Sequence, residues 1–185
     1  CVCARWLNKV RTKESKLEIA GKRVVITGAS RGIGAEIARV FASAGSQVVV
    51  SARTESAITE LAGEVGGVAV PFDANDPNDV RSYIDRVESV AGPIDVLINN
   101  AGVSMRAILE DLELSVFEKV MRVNFFGTVY CTKYALPHIL TTKGSIIGIS
   151  SIAGYKGLPA RCAYSASKFA MHGFLESLRI ENLEK

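Results

Sequence analysis

The stretch from Val24 to Gly34 reads Val-Val-Ile-Thr-Gly-Ala-Ser-Arg-Gly-Ile-Gly, and it decides the fold. Three β-branched residues predict a short buried strand, and the glycines that follow predict a tight turn. From Gly32 to Ala44 apolar residues recur at helical spacing, so a helix should begin directly after the turn. Free amides at a helix start attract anions, and glycines let a pyrophosphate approach the backbone. The stretch therefore predicts a dinucleotide-binding site.

Strand and helix patterns alternate along the rest of the chain. We predict strands at 24–26, 48–50, 68–70, 94–98 and 145–150, and helices at 32–44, 55–64, 77–91, 115–136 and 163–180. Apolar strands that alternate with helices indicate a doubly wound parallel sheet in three α/β/α layers. The long fourth helix should end before Pro137, because a proline inside a helix removes a hydrogen bond.

The composition is that of an ordinary globular domain. The 185 residues carry a formal net charge of +3, and 48% of them are hydrophobic. We divide the chain into a basic N-terminal extension, residues 1–20, and one domain, residues 21–185. The first 23 residues hold seven basic and two acidic side chains. They are expected to form a solvated terminus, and nucleic-acid binding would rest on this charge alone.

Neither a membrane span nor a metal site is visible in the sequence. No run approaches the roughly 18 apolar residues that a membrane span needs, and no secretory signal is present. We expect a cytoplasmic protein, although a chain that begins at Cys1 leaves room for a membrane anchor upstream. Cys1, Cys3, Cys131 and Cys162 show no regular spacing; Cys1 and Cys3 could be two metal ligands, but no second pair or His cluster joins them. No metal is therefore expected, and Cys131 is assigned to the core.

A second chemical pattern lies near the C-terminus, where Tyr164 and Lys168 are four residues apart and Ser151 lies thirteen residues upstream. Residues at i and i+4 share a helix face, so the phenol and the ammonium should point into the same space. A tyrosine ionises near pH 10, and a neighbouring ammonium stabilises the phenolate. The pair therefore suits general acid–base catalysis on an alcohol or a carbonyl.

The residues after the second strand indicate which dinucleotide is preferred. A carboxylate there would bond the adenosine 2′-hydroxyl and repel a 2′-phosphate. This chain has Ser51-Ala52-Arg53 instead, and Arg31 lies in the glycine turn. Because guanidinium groups form charge-assisted hydrogen bonds with phosphate, the two arginines favour NADP(H) over NAD(H).

Together these motifs resemble the short-chain dehydrogenase/reductase family over about residues 20–183. The resemblance rests on the glycine turn at 28–34, the motif Asn99-Asn100-Ala101-Gly102, and Asn124, Ser151, Tyr164 and Lys168, in the family's order and spacing. It implies a Rossmann-like fold in which Asp73 contacts the adenine and Asn99 stabilises the strands. The cofactor-binding residues that it implies are Gly28, Ser30, Arg31, Gly32, Ile33, Gly34, Arg53, Asp73, Asn100, Ala101, Gly102, Tyr164 and Lys168.

The resemblance also implies a catalytic set of Asn124, Ser151, Tyr164 and Lys168. Tyr164 would exchange a proton with the substrate oxygen, and Ser151 would orient that oxygen. Lys168 would stabilise the tyrosine phenolate and bind the nicotinamide ribose. Asn124 would hold a water molecule in a proton relay.

Two further polar residues lie close to the catalytic set in the sequence. Ser150 is chemically equivalent to Ser151, but the family's spacing to Tyr164 and the alternation of side chains along a strand select Ser151. His172 is one helical turn beyond Lys168 and is assigned a packing or surface role.

The expected function is that of an NADP(H)-dependent oxidoreductase that interconverts a secondary alcohol and a ketone or aldehyde. Within the family, the chain resembles the branch of carbonyl reductases and steroid-dehydrogenase-like enzymes. The alternatives are a 3-oxoacyl thioester reductase and a non-catalytic nucleotide-binding member of the same fold.

The family's domain usually continues beyond the helix that carries the Tyr–Lys pair. We therefore expect the last strands of the sheet and much of the substrate pocket to be missing from a C-terminally incomplete chain, which puts its activity in doubt. By family analogy, the protein should form a homodimer or homotetramer through the helices at 115–136 and 163–180. Its other partner should be a small alcohol or carbonyl substrate.

Overall fold

Five parallel strands form one sheet in the computed structural model, which describes residues 19–183. The strands are β1 Arg23–Thr27, β2 Gln47–Ser51, β3 Val68–Ala69, β4 Val96–Asn99 and β5 Ser145–Gly148. They are hydrogen-bonded in the order β3-β2-β1-β4-β5, and Val25 of β1 pairs with Val49 of β2 and with Leu97 of β4. The expectations for Cys1, Cys3 and the basic residues before Ile19 lie outside the described residues.

Six α-helices connect and cover these strands in the described part of the chain. They are α1 Gly32–Ser43, α2 Glu55–Val65, α3 Pro77–Ala91, α4 Leu114–Met121, α5 Gly127–Thr142 and α6 Cys162–Glu181. A π-helical turn, Arg122–Phe126, joins α4 to α5, and short 3-10 turns occupy Leu109–Asp111 and Ile152–Gly154. The predicted doubly wound parallel sheet is confirmed. None of the helices between residues 19 and 183 has the length and apolar character to cross a membrane.

Two hydrophobic clusters cover the two faces of the sheet, because neighbouring strand residues point to opposite sides. On one face, Val25 of β1 packs with α3 and α5. On the other, Val24 and Ile26 pack with α1 and α2. Cys131 is 1% exposed within the first cluster, so its assignment to the core is confirmed.

The prediction that the long helix ends before Pro137 is wrong. It is interrupted by the π-helical turn, and α5 then continues through Pro137 to Thr142. Packing outweighs the hydrogen bond that the proline removes, because Ala135 and Ile139 on either side of it are buried against the sheet. The helix ends where Lys143 adopts a left-handed conformation with φ of 51°.

The start of α3 agrees with its sequence signals. Pro77 occupies the first helical position, where its missing N–H costs nothing. The side chain of Asp76 accepts a hydrogen bond from the Asn78 amide at 2.9 Å and so caps the helix.

Candidate active site

A cleft of about 700 Å³ opens at the carboxyl ends of the strands. It lies where the chain order reverses, since β1 is flanked by β2 on one side and by β4 on the other. Ligands bind at such points in open α/β sheets. Every residue of the predicted cofactor-binding set lines this cleft. The tertiary structure therefore brings together residues that the sequence spreads from Gly28 to Lys168.

The glycine turn leaves no room for side chains at two of its positions. A Cβ on Gly28 would lie 2.6 Å from the Cα of Ala101, and one on Gly34 would lie 2.5 Å from the carbonyl oxygen of Gly28. Gly32 has φ of 59° and open space around its Cβ position, and it also lines the cleft. The turn therefore presents bare backbone to the cleft, as close approach of a pyrophosphate requires.

The first turn of α1 is suited to an anion. Arg31 precedes the helix, no side chain caps it, and its first turn contains no acidic residue. The amides at this end have no intrahelical acceptor and coincide with the positive end of the helix dipole. With the bare glycine turn beside them, these groups fit the pyrophosphate of a dinucleotide.

The end of the cleft beside β2, where the sequence predicts the adenosine ribose, carries positive charge; we call it the ribose end. Arg53 follows β2 and Arg31 lies at the glycine turn, and both are exposed and line the cleft. Asp73 lies on the neighbouring wall, where its carboxylate accepts a hydrogen bond from the Asn75 amide at 2.9 Å. Two guanidinium groups are thus available to a phosphate at the position where the sequence predicted them.

The side chain of Thr27 joins the glycine turn to the opposite wall of the cleft. Its Oγ1 accepts hydrogen bonds from the amides of Asn100 and Ala101 at 3.0 and 3.1 Å. The Asn100 side chain donates in return to the carbonyl oxygens of Thr27 and Gly28 at 3.0 and 2.9 Å. This role of Thr27 was not predicted from the sequence, although a hydroxyl at the end of a buried strand is a signal for it.

Asn99 faces away from the cleft. It is buried, and its side-chain amide donates to Thr132 Oγ1 of α5 at 3.1 Å. This bond ties β4 to the helix that covers it, which agrees with a structural function.

Tyr164 and Lys168 share one face of α6 and one wall of the cleft. The Nζ atom of Lys168 lies 5.8 Å from the centroid of the Tyr164 ring and donates to the carbonyl oxygen of Ile149 at 2.7 Å. Lys168 is 4% exposed, and this burial lowers its pKa to about 8. A phenol and a readily titrated amine therefore lie side by side, as proton transfer to a carbonyl or from an alcohol requires.

The two serines after β5 take different positions. Ser150 lines the cleft and hydrogen-bonds His172, whereas Ser151 is not among the lining residues. The Oγ of Ser151 accepts a hydrogen bond from the Ala153 amide at 3.2 Å and caps the 3-10 turn that follows. β5 ends at Gly148, so strict strand alternation no longer applies to these residues. The catalytic role of Ser151 stays a prediction.

Asn124 lies in the π-helical turn and is fully buried. Its Oδ1 accepts from the Val103 amide at 2.8 Å, and its Nδ2 donates to the Val103 carbonyl oxygen at 2.9 Å and to Ser167 Oγ at 3.0 Å. Both donors of the side chain are therefore used in holding the cleft wall at Val103 to α6. The role of Asn124 in holding a water molecule stays a prediction.

Several residues that were not predicted from the sequence complete the walls of the cleft. They are Ala52, Thr54, Ala57, Phe72, Ala74, Val103, Ser104, Val123, Ile149 and Ser150. Most of them are small or apolar residues next to the motif positions, and such residues carry no signal of their own.

The model of the short chain dehydrogenase family matches residues 22–185. The chain therefore belongs to the short-chain dehydrogenase/reductase family, a family of oxidoreductases. It is 40% identical over 187 residues to dehydrogenase/reductase SDR family member 7B of Mus musculus, a match that covers 96% of this chain and 57% of that protein. It is 37% identical to 11-beta-hydroxysteroid dehydrogenase A of Sesamum indicum, with 89% of this chain and 49% of that protein covered. The chain thus spans about half the length of these relatives.

A solved structure with a similar fold is the alcohol dehydrogenase of the archaeon Thermococcus sibiricus in complex with 5-hydroxy-NADP. The TM-score is 0.85 at 29% sequence identity, and the match covers 87% of this chain and 71% of that one.

Proposed function

We propose that the protein is an NADP(H)-dependent oxidoreductase that interconverts a secondary alcohol and a ketone or aldehyde. The observation that carries the proposal is the position of Tyr164 and Lys168. They form one wall of the same cleft whose other end is the bare glycine turn. A proton-transferring pair and a dinucleotide site in one cleft are what alcohol oxidation or carbonyl reduction requires.

The positions of these residues in the cleft assign each of them a separate role in the proposed reaction. A bound nicotinamide dinucleotide would supply or accept the hydride. Gly28, Gly32 and Gly34, with the start of α1, would hold its pyrophosphate. In the reductive direction Tyr164 would donate its hydroxyl proton to the substrate oxygen, and in the oxidative direction its oxygen would accept that proton. Lys168 would stabilise the phenolate that remains after donation.

A preference for NADP(H) is supported by the charges at the ribose end. Arg31 and Arg53 both line the cleft there, and β2 is not followed by a carboxylate that would repel a 2′-phosphate. The similar archaeal structure is a complex with an NADP derivative, which agrees with this preference.

Ser151 and Asn124 complete the proposed catalytic set. Ser151 would orient the substrate oxygen, and its position directly after the cleft-lining Ser150 supports this role. Asn124 would act in proton relay through a water molecule. Its three hydrogen bonds to Val103 and Ser167 also keep the cleft wall in place.

The name of one relative, 11-beta-hydroxysteroid dehydrogenase A, supports the steroid-dehydrogenase-like branch of the family, and hence a bulky apolar alcohol or ketone as substrate. We further propose assembly as a homodimer or homotetramer and a cytoplasmic location. Exposed apolar residues on the helices, such as Phe126 and Phe169, would support the assembly.

The proposal is tested by carbonyl-dependent oxidation of NADPH by the purified protein, with a panel of apolar ketones. We expect Tyr164→Phe to reduce turnover by about a hundredfold to ten-thousandfold, because the proton donor is removed. Binding of NADPH, followed by its fluorescence, should persist. Tyr134→Phe is a matched control, since Tyr134 packs against the core on α5. Unchanged turnover in Tyr164→Phe would disprove the proposed mechanism.

A further inference from the structure

His172 lies one helical turn beyond Lys168, on the same face of α6 as Tyr164 and Lys168. It is half-buried, and its Nε2 atom shares a hydrogen bond with Ser150 Oγ. Ser150 in turn lines the cleft, whereas His172 does not. Any influence of the imidazole on the reaction must therefore act through Ser150.

The hydrogen bond between His172 and Ser150 is partly buried, and the 3-10 turn that follows Ser151 packs against it. A Cβ on Gly154 would lie 2.8 Å from Ser150 Oγ and 3.1 Å from His172 Cε1, so the turn packs directly on the bond. The Tyr155 ring covers the imidazole edge-on, with 4.4 Å between the ring centroids. A partly buried hydrogen bond competes less with water than an exposed one and so holds its partners more firmly.

The same helix face holds two consecutive residues after β5. Lys168 Nζ donates to the carbonyl oxygen of Ile149 at 2.7 Å, and His172 bonds the next residue, Ser150. Ser151 follows immediately and has no direct bond to α6 among the described hydrogen bonds. The two bonds immediately before it therefore contribute to its place relative to Tyr164, together with the bond from the Ile149 amide to the Asn99 carbonyl oxygen at 2.9 Å.

The electrostatic surroundings keep the imidazole uncharged near neutral pH. Burial, followed by the positive charge of Lys168, lowers the pKa of His172 below its ordinary value of 6.5, against the opposing effect of Glu176. A neutral imidazole can either donate to or accept from a hydroxyl group at one nitrogen.

We propose that His172 is a positioning residue of the reaction, which holds Ser150 and thereby sets the segment 149–151 beside Tyr164. The effect on turnover rests on the proposed function, because it requires that Ser151 orients the substrate oxygen. The positioning itself is a property of the folded chain without substrate.

The kinetic test compares two substitutions of the same residue. His172→Phe keeps an aromatic ring against Tyr155 but removes the hydrogen bond, and we expect kcat to fall about tenfold. His172→Gln places an amide near the position of Nε2, and it should recover most of the loss. The KM for NADPH should stay unchanged in both variants. Equal losses in the Phe and Gln variants, or a change confined to the KM for NADPH, would overturn the proposal.

Ser150→Ala provides the partner of a double-mutant cycle. It should lower kcat by the same factor as His172→Phe, and the double variant should lose no more than either single one. Fully additive losses would show that the two residues act separately. His138→Phe is the matched histidine control, because His138 lies on α5 and pairs with Glu88 at 3.5 Å.

Hydrogen–deuterium exchange tests the positioning without any substrate. His172→Phe should raise exchange in residues 149–154 and leave the glycine turn unchanged, and His172→Gln should restore the protection. Unchanged exchange in 149–154 would refute the positioning role. If exchange responds as expected while the wild-type protein oxidises no NADPH with any carbonyl, the proposed function fails and the positioning role stands.

Discussion

The glycine turn at 28–34 is constrained by the close approach of backbone atoms, whereas the reaction end of the cleft, at Asn124, Tyr164 and Lys168, is constrained by side-chain hydrogen bonds between distant parts of the chain. In the turn, Gly28 and Gly32 have positive φ, and a Cβ on Gly34 would lie 2.5 Å from the carbonyl oxygen of Gly28. At the reaction end, Asn124 bonds Val103 across 21 positions and Lys168 bonds Ile149 across 19. The turn depends on the absence of side chains where Gly28 meets the backbone of Ala101, and the reaction end depends on hydrogen bonds that form when the helices pack.

Because of this difference, we expect different kinds of substitution to damage the two regions. Added volume at Gly28 or Gly34 should damage the turn, because backbone atoms lie close to the Cβ position of both glycines. Loss of a hydrogen bond should damage the reaction end, because each removed partner leaves a buried polar group unsatisfied. Four substitutions test this separation.

Asn124→Ala should have the largest effect on stability. It removes three hydrogen bonds and leaves the Val103 amide and carbonyl without partners, so the free energy of unfolding should fall by about 4 kcal/mol. Urea denaturation measures the loss. Thr128→Val is the control, because it removes a single bond to the Asn124 carbonyl oxygen and should cost about 1 kcal/mol. A loss of unfolding free energy no greater than that of Thr128→Val would contradict the importance of the Asn124 hydrogen bonds for the reaction end.

Lys168→Met should change how stability depends on pH. The pKa of Lys168 is about 8 when folded and 10.5 as its ordinary value, so the folded state binds fewer protons between these values. The free energy of unfolding of the wild type should therefore be lowest below pH 8 and rise by up to about 3 kcal/mol as the pH approaches 10.5.

Urea denaturation of the protein without cofactor, at several pH values in this window, measures the rise. It should disappear in Lys168→Met and persist in Lys133→Met, which alters an exposed lysine of α5. An identical rise in the wild type and Lys168→Met would show that the buried amine does not titrate in this window.

Gly34→Ala should damage the turn by volume alone. The added methyl group would lie 2.5 Å from both the Gly28 carbonyl oxygen and Asn100 Nδ2, so we expect a loss of about 2 kcal/mol and weaker NADPH binding. Gly63→Ala is the matched control within α2, where nothing lies within 4 Å, and it should stabilise the protein by about 0.5–1 kcal/mol. Thermal melting measures both variants, and the melting temperature should fall in Gly34→Ala and rise in Gly63→Ala. A stabilised Gly34→Ala would contradict the close approach in the turn.

Arg53→Ala should have the smallest effect and should leave the fold intact. Removal of one exposed guanidinium from the ribose end should raise the Kd for NADPH about tenfold, which corresponds to about 1.4 kcal/mol. The Kd for NADH should hardly change, because it lacks the 2′-phosphate. Fluorescence titration with both cofactors gives the ratio, and Arg81→Ala on α3 is the control. An equal loss for both cofactors would contradict the assignment of Arg53 to the phosphate.

Most elements and the doubly wound sheet could be predicted from the sequence, because apolar periodicity and glycine or proline signals are local. The same signals failed at Pro137, where burial of Ala135 and Ile139 outweighs the lost hydrogen bond. They also did not show the π-helical turn that carries Asn124. The side chain of Asn124 bonds Val103 and Ser167, which lie on other parts of the fold. Apolar periodicity contains no information about such contacts.

For the candidate site, the sequence by itself determined which groups are present and which lie on one face. The glycine turn opens α1, and the four-residue spacing places Tyr164 beside Lys168. Only the tertiary structure decided that these motifs share one cleft, that burial lowers the pKa of Lys168, and that Thr27 joins the two walls. It also showed Ser150, and not Ser151, on the cleft wall with His172 behind it. The physical reason is that spacing along one helix is set by local geometry, whereas burial and cross-chain hydrogen bonds depend on how the helices pack on the sheet.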